Sequence, residues 1–261
     1  MSTPPCRVAH TSLAILLFCF RLNAATNPPL PAMENTIRGI SCVVFDLETT
    51  GLKAEEDRIL EIGSVRISNG QVTERRSWLI NPGVLIPPGS QRIHGITPEM
   101  VADAPGFPAA YTEFTNFVGR SILFSHNARF DCKFLVAEIR RHNLTPPDIV
   151  LLDTLRLFKR CFPKRRSYSL ANLTADLCPI LMAQAAATND VSRERRFHSA
   201  GWDSECTAAL LGRAMGTLET DLPFPELEKR CGGRLSLTMP TRPLPSPPPP
   251  RNGIAPDAPA Q

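Results

Sequence analysis

Between residues 40 and 80, apolar positions fall into three blocks separated by turn residues. Ile40 to Phe45 is a continuous apolar run rich in β-branched residues, the pattern of a strand covered on both faces. Leu60 to Ile67 predicts a second strand, and Asn69-Gly70 a tight hairpin turn into a third, Val72 to Ile80. Ser121 to Ser125 predicts a fourth strand and Ile149 to Leu152 a short fifth. Helical spacing takes over between the later strands. Tyr111, Phe114 and Phe117/Val118 recur at helical intervals within Ala109 to Val118. Phe130, Phe134, Leu135 and Ile139 form one stripe, with Asn127 as the expected N-cap. Ser169 is placed to cap Leu170 to Leu177, and a last helix is expected from about Ala200 to Leu218, with Ala208, Leu211 and Met215 inward. An antiparallel start followed by alternating helices and strands predicts an α/β fold with a mixed five-stranded sheet flanked by helices.

The ends depart from this pattern. Residues 1–36 are expected to be a poorly structured extension. Within it, Leu13 to Phe20 has the length of a signal-peptide apolar region, with Arg7 before it and Ala24-Ala25 as a passable cleavage site. Arg21 interrupts that run, and Met33 stands just ahead of the first strand as a possible natural start, so a cytoplasmic protein is expected over an exported one. No apolar run approaches the roughly 20 residues that span a bilayer, so no membrane partner is expected. Most of the excess among the 26 prolines lies at the two ends. Residues 221–261, ending in PTRPLPSPPPPRNGIAPDAPAQ, are accordingly expected to be a disordered tail. This leaves 37–220 as the folded domain, interrupted by a mobile insertion at 183–196.

Composition adds limits. A 43% hydrophobic content supports a sizeable core, and a net charge of +4 permits a polyanionic partner without requiring one. Eight cysteines are scattered without a C-x-x-C pair, which argues against zinc and against a disulfide scaffold. They read as reduced, small apolar residues.

The first strand runs directly into Asp46-Leu47-Glu48-Thr49-Thr50-Gly51-Leu52. Alternate strand residues share a face, so Asp46 and Glu48 project together at the carboxyl end of a buried strand, where open α/β sheets place ligands. Two carboxylates so close repel each other, and a divalent cation is the economical way to neutralise them. Asp131, within SHNARFD, lies in the first turn of a predicted helix, where the helix dipole alone would favour it. Asp203 follows His198 in HSAGWD. Hard oxygen ligands without cysteine point to magnesium or manganese.

Taken together, these motifs resemble the DEDDh 3′→5′ exonucleases, and within them the proofreading, epsilon-type subunits of bacterial DNA polymerase III. The resemblance covers about residues 40–216. It rests on FDLETTGL, on SHNARFDCKFL and on the H-x4-D spacing of His198 and Asp203; Ser199 excludes the branch that uses tyrosine. Ile93-His94-Gly95-Ile96-Thr97 and Asp153-Thr154-Leu155 also look like family landmarks.

The resemblance implies a ribonuclease H-like fold and hydrolysis with two divalent metal ions, Mg2+ or Mn2+, releasing nucleoside 5′-monophosphates. Asp46 would bridge both ions, Glu48 and Asp203 would hold the nucleophile-side ion, and Asp131 would support the second. His198 would be the general base. Thr49, Thr50 and Gly51 would contact the terminal nucleotide, with Leu52 packing on its base and His94 nearby. His126 and Asn127 would approach the phosphate, and Phe130 is either a stacking surface or a core residue. The implied partner is a single-stranded 3′ end, DNA in proofreading or repair, with a polymerase subunit or sliding clamp as a further partner. Arg234 to Thr238 (RLSLT) is similar in part to clamp-binding peptides. Basic clusters at Lys159-Arg160, Lys164 to Arg166 and Arg193 to Arg196 suit phosphate contacts. An exoribonuclease with the same site and a non-catalytic nucleic-acid-binding subunit of a polymerase complex are the competing readings.

Overall fold

Strand β1 (Cys42–Thr49) forms the middle of a five-stranded sheet because its apolar residues are covered on both sides. The computed structural model describes residues 41–187, 198–219 and 222–238. β1 pairs antiparallel with β2 (Ile59–Ser68), which pairs antiparallel with β3 (Gln71–Leu79). Asn69 (φ 51°) and Gly70 (φ 72°) turn between them with left-handed backbones, as the predicted hairpin requires. After α1 (Pro88–His94), α2 (Pro98–Val101) and α3 (Phe107–Val118), β4 (Ile122–Ser125) adds parallel to the other side of β1. α4 (Arg129–Arg141) then leads to β5 (Leu151–Asp153), parallel to β4, which completes the order β3-β2-β1-β4-β5. The chain continues through α5 (Thr154–Cys161), α6 (Leu170–Leu177), α7 (Pro179–Ala187), α8 (Ala200–Gly216) and α9 (Phe224–Arg230).

Alternation along β1 divides the core. Val43, Phe45 and Leu47 pack with α3 and α4 residues such as Phe114, Phe134 and Leu135. Cys42 and Val44 face the other layer, with Leu157, Phe158, Leu173 and Leu211 from α5, α6 and α8. This second face is the one that turns acidic at Asp46 and Glu48. The six cysteines among the described residues are free, and burial pushes the Cys42, Cys206 and Cys231 thiols up to about 12, leaving them inert. Among the described residues no helix is long and apolar enough to cross a membrane.

Three sequence expectations change, and two short helices are added. Ser169 caps α6 by accepting from the Asn172 N–H, but Asn127 does not cap α4: Ala128 holds the cap position, and Asn127 adopts φ 64° in the turn before it. Helix α7 runs through 183–187, because the alanine-rich stretch is itself a good helix former; residues 188–197 lie outside the described residues. The folded region also passes the boundary expected at 220. α9 buries Leu227, Leu235 donates its N–H to the Leu151 carbonyl at 2.9 Å, and Leu237 is buried beside α4. Those two leucines complete the core and the edge of β5, so the clamp-like peptide is occupied by the fold itself. Finally, α1 and α2 are too short, at seven and four residues, to write an amphipathic stripe into the sequence.

Candidate active site

The strand that carries the first two acids is also the strand that gathers the rest. In the β1–β2 ladder Asp46 lies opposite Gly63 and Glu48 opposite Glu61. The four positions share a face, and α8 crosses it. Helix α8 is drawn onto β2 by two hydrogen bonds: the Ala200 N–H donates to Glu61 Oε2 at 3.2 Å, and Ser204 Oγ donates to the Gly63 carbonyl at 2.9 Å. Glu61 Oε1 accepts from Ser77 Oγ at 2.5 Å, which fixes its carboxylate from β3. The first turn of α8 therefore delivers Asp203 beside Glu48.

Asp203 Oδ2 accepts the backbone N–H of His198 at 3.1 Å, while its Oδ1 is buried without a protein partner. His198 itself has φ 72° and is exposed. Its imidazole comes within 4.8 Å of the carboxylates of Glu48 and Asp203, which likewise lie within that distance of each other. Asp131 arrives from the first turn of α4, buried, with Ser125 Oγ donating to its Oδ2 at 2.5 Å. The Asn127 N–H donates to Asp153 Oδ1 at 3.1 Å, pinning the turn from which α4 starts.

The crowding of these carboxylates is visible in their proton affinities. Burial, then the charge of Asp203, pushes the Glu48 carboxyl up to about 9. Burial pushes Asp131 up to about 7 against the opposing hydrogen bond from Ser125, and Asp203 to about 7 against the N–H of His198. Asp46 stands well above the usual carboxylate range through burial and its neighbours Asp131, Asp203, Glu48 and Glu61. Acids held this way lack positive charge. An orphaned buried Asp203 oxygen within an all-oxygen and imidazole donor set fits a hard divalent cation.

The acids open into a cleft of about 640 Å³ that also reaches Thr49, Gly51, Leu52, His94, His126, Asn127 and Phe130. Thr50 stands apart from this set. It is buried, accepts the Arg58 N–H at 3.0 Å and donates to Asp57 Oδ1 at 3.3 Å, so it holds the loop beneath Leu52 and does not line the cleft. Thr49 Oγ1 donates to the Gly51 carbonyl at 2.6 Å. His94 Nδ1 accepts the Ile96 N–H at 3.0 Å, which places the proton on Nε2. His126 Nε2 pairs with the Tyr168 carbonyl at 2.9 Å, and its Nδ1 lies 3.2 Å from Thr154 Oγ1. Burial lowers the proton affinity of both histidines. Phe130 has both expected characters: it packs on Phe134 at 4.8 Å between ring centroids, and it lines the cleft. Sequence reasoning missed Ser90 and the Tyr168–Leu170 segment, together with Glu61, whose only signal was an acid inside an apolar strand; Ile93 and Leu155, named there only as family landmarks, also line the cleft. The cluster Arg193 to Arg196 lies outside the described residues.

Comparison with known proteins agrees with this geometry. The sequence profile of the family described as Exonuclease matches residues 43–211. The DNA polymerase III subunit epsilon of Treponema pallidum is 37% identical over 153 residues, which cover 58% of this chain and 71% of that protein. The 3′-5′ exonuclease DinG of Bacillus subtilis is 32% identical over 188 residues, covering 72% of this chain but only 19% of DinG. Among solved structures, exonuclease X in complex with 5′-overhanging duplex DNA matches with a TM-score of 0.53 at 28% identity, covering 69% of this chain and 95% of that one.

Proposed function

Since the chain belongs to the exonuclease family, in its DEDDh branch, we propose that it hydrolyses DNA from the 3′ end in proofreading or repair, releasing nucleoside 5′-monophosphates. The observation that carries this reading is the meeting of Asp46, Glu48, Asp131, Asp203 and His198 in one cleft. Asp46, Glu48, Asp131 and Asp203 would hold two divalent cations, magnesium or manganese. Such ions neutralise a scissile phosphate and make bound water acidic enough to attack at neutral pH.

His198 sits at the mouth of the acidic cluster and serves as the general base, taking a proton from the attacking water. The water oxygen forms the new bond to phosphorus, the bond from phosphorus to the 3′ oxygen breaks, and that oxygen takes a proton from solvent. Asp203 orients His198 by accepting its backbone N–H, and Ser125 orients Asp131. Thr49, Gly51, Leu52, His94, His126, Asn127 and Phe130 supply the pocket for the terminal nucleotide. Thr50 acts only through the loop it anchors.

A cytoplasmic setting and association with a polymerase go with this reading, through the similarity to the epsilon subunit. The proposed folded domain runs from about residue 37 to 238. The test offers 5′-labelled single-stranded DNA, mispaired duplex and RNA side by side, with magnesium and then with EDTA. Stepwise shortening of DNA from its 3′ end, abolished by chelation, is expected. Preference for short RNA would move the assignment to an exoribonuclease, and no product with any metal would leave a binding subunit.

A further inference from the structure

Glu138, 1% exposed near the carboxyl end of α4, is a buried carboxylate that the chemistry in the cleft does not use. Its Oε1 lies 2.7 Å from Arg141 Nη1 and accepts the Ile59 N–H at 3.4 Å, and its Oε2 lies 3.3 Å from His142 Nε2. Burying an ion pair is costly, and apolar residues of similar volume often stabilise a fold as well or better. What such a pair adds is direction. A guanidinium held by one carboxylate presents its remaining donors along fixed lines.

Those donors reach the loop between β1 and β2. Arg141 Nη2 donates to the Ala54 carbonyl at 3.1 Å and to the Glu55 carbonyl at 3.3 Å. The next two carbonyls, of Glu56 and Asp57, accept from Arg58 Nη1 at 2.9 and 3.1 Å. Two guanidinium groups thus hold four successive loop carbonyls. At the start of the loop, Asp57 Oδ2 accepts the Lys53 N–H at 2.8 Å, so close to Gly51 that a β-carbon there would sit 2.4 Å from the same oxygen.

This loop presents Gly51 and Leu52 to the cleft, and Leu52 is 85% exposed. A side chain that open gains little from packing, so its place depends on the polar ties of the loop behind it. Ordering a loop costs conformational entropy, and a pocket built on one binds best when the loop is ordered before the ligand arrives. Helix α4 also carries Phe130 and Asp131 in its first turn, both lining the cleft. One helix therefore holds an acid of the site at one end and the loop at the other, with about 15 Å of helix rise from Asp131 to Arg141.

We propose that Arg141, aimed by Glu138, is a positioning residue for the terminal nucleotide: it fixes the 50–58 loop so that Gly51 and Leu52 stand in place before the nucleotide binds. The inference rests on the exonuclease reading and deepens it, since neither Arg141 nor Glu138 lines the cleft.

The test uses the full chain with Arg141→Met combined with Glu138→Gln, which removes the loop donors without leaving a lone buried charge. Arg141→Lys is the conservative variant, keeping the charge and a donor for one carbonyl. Leu227→Ala, at a buried position of α9, is a control that loses stability away from the loop. With magnesium, kinetics are measured on the nitrophenyl ester of thymidine 5′-monophosphate, which offers the pocket a single nucleotide. In the double variant KM should rise about tenfold or more, with kcat within about threefold of wild type. Arg141→Lys should fall between the two, and Leu227→Ala should keep the wild-type KM. In EDTA, hydrogen exchange at the amides of Lys53, Glu56 and Asp57 should speed by about tenfold or more in the double variant, with the amides of α3 unchanged.

A KM within about twofold of wild type, or a kcat that falls while KM holds, would overturn the proposal, because the pair would then serve the fold or the acids and not the pocket. Unchanged exchange in the loop would overturn it as well. If the double variant does not fold, Arg141→Lys decides, and wild-type KM and loop exchange in that variant would overturn the proposal. A wild type that hydrolyses no substrate would sink the exonuclease reading, while loop exchange still decides whether Arg141 orders the loop.

Discussion

Gly63 lies so close beneath Ala200 that a β-carbon on it would sit 2.0 Å from the Ala200 carbonyl carbon. The contact is backbone against backbone, so no side chain can swing aside. Gly63 faces Asp46 across the ladder, which makes it the residue that allows the amino end of α8 to bring Asp203 to the acids of β1. Gly63→Ala is expected to push α8 outward, lowering stability by about 1–3 kcal/mol and turnover by at least 100-fold. Thermal melting and single-turnover kinetics check this. A variant with wild-type turnover would mean that the close approach is not needed for catalysis.

His198→Ala removes the general base and leaves the four carboxylates in place. Turnover should fall by about 10²–10⁴, while binding of oligonucleotide changes little. Full activity with an unchanged pH profile would reassign the proton transfer.

The raised acids link pH, metal and stability. A carboxylic acid whose proton affinity is higher in the folded chain than in the unfolded one keeps its proton on folding through that window. Folding is therefore favoured at low pH and loses ground as pH rises. For Asp131 and Asp203 the loss runs from about pH 4 to about 7, and for Glu48 it continues to about 9. In EDTA the melting temperature should fall between about pH 5 and pH 8, reflecting a few kcal/mol. Saturating magnesium should restore it, with the larger gain at the higher pH. A metal-free protein that gains stability across this range would contradict the electrostatic account.

Much of this site was legible because its chemistry follows the chain's local period. Asp46 and Glu48 alternate on a strand, and Asp131 and Asp203 stand in the first turns of periodic helices, so the pattern that predicts the element also predicts where the acid points. The rest depends on contacts across long stretches of chain. Glu61 acts on Ala200, 139 positions away, and Thr50 faces Asp57 and not the cleft because of a loop whose path local spacing does not fix. Asn127 was misassigned because its left-handed backbone, which asparagine tolerates better than most residues, puts it a position outside the cap. Proline content likewise hid α9, since Pro223 and Pro225 sit at its start, where the missing N–H costs nothing.

Glu61 holds α8 by a charge-assisted hydrogen bond while lying across the ladder from Glu48. Glu61→Ala frees the Ala200 N–H and should weaken magnesium binding about 10- to 100-fold, the usual range for residues that orient ligands from behind. Glu61→Gln keeps an oxygen for that N–H and should lose much less. Titration calorimetry on both variants separates the cases. Equal affinities would mean that α8 is held without Glu61.

Leu237 makes the final case, because composition assigned it to a tail. It is 3% exposed and packs in the same cluster as Phe134 and Leu135 of α4, while Leu235 binds the edge of β5. Its neighbour Ser236 accepts a weak hydrogen bond from Cys132 Sγ at 3.3 Å, one residue after Asp131. The segment thus braces the helix that carries an acid of the site. Leu237→Ala should cost about 2–5 kcal/mol, as for other buried leucines, and lower the denaturant midpoint accordingly. Leu85→Ala, at a leucine that is 82% exposed, should change stability by less than about 0.5 kcal/mol. If the two variants unfolded alike, residues 231–238 would contribute nothing to the core, and the domain would end at α9.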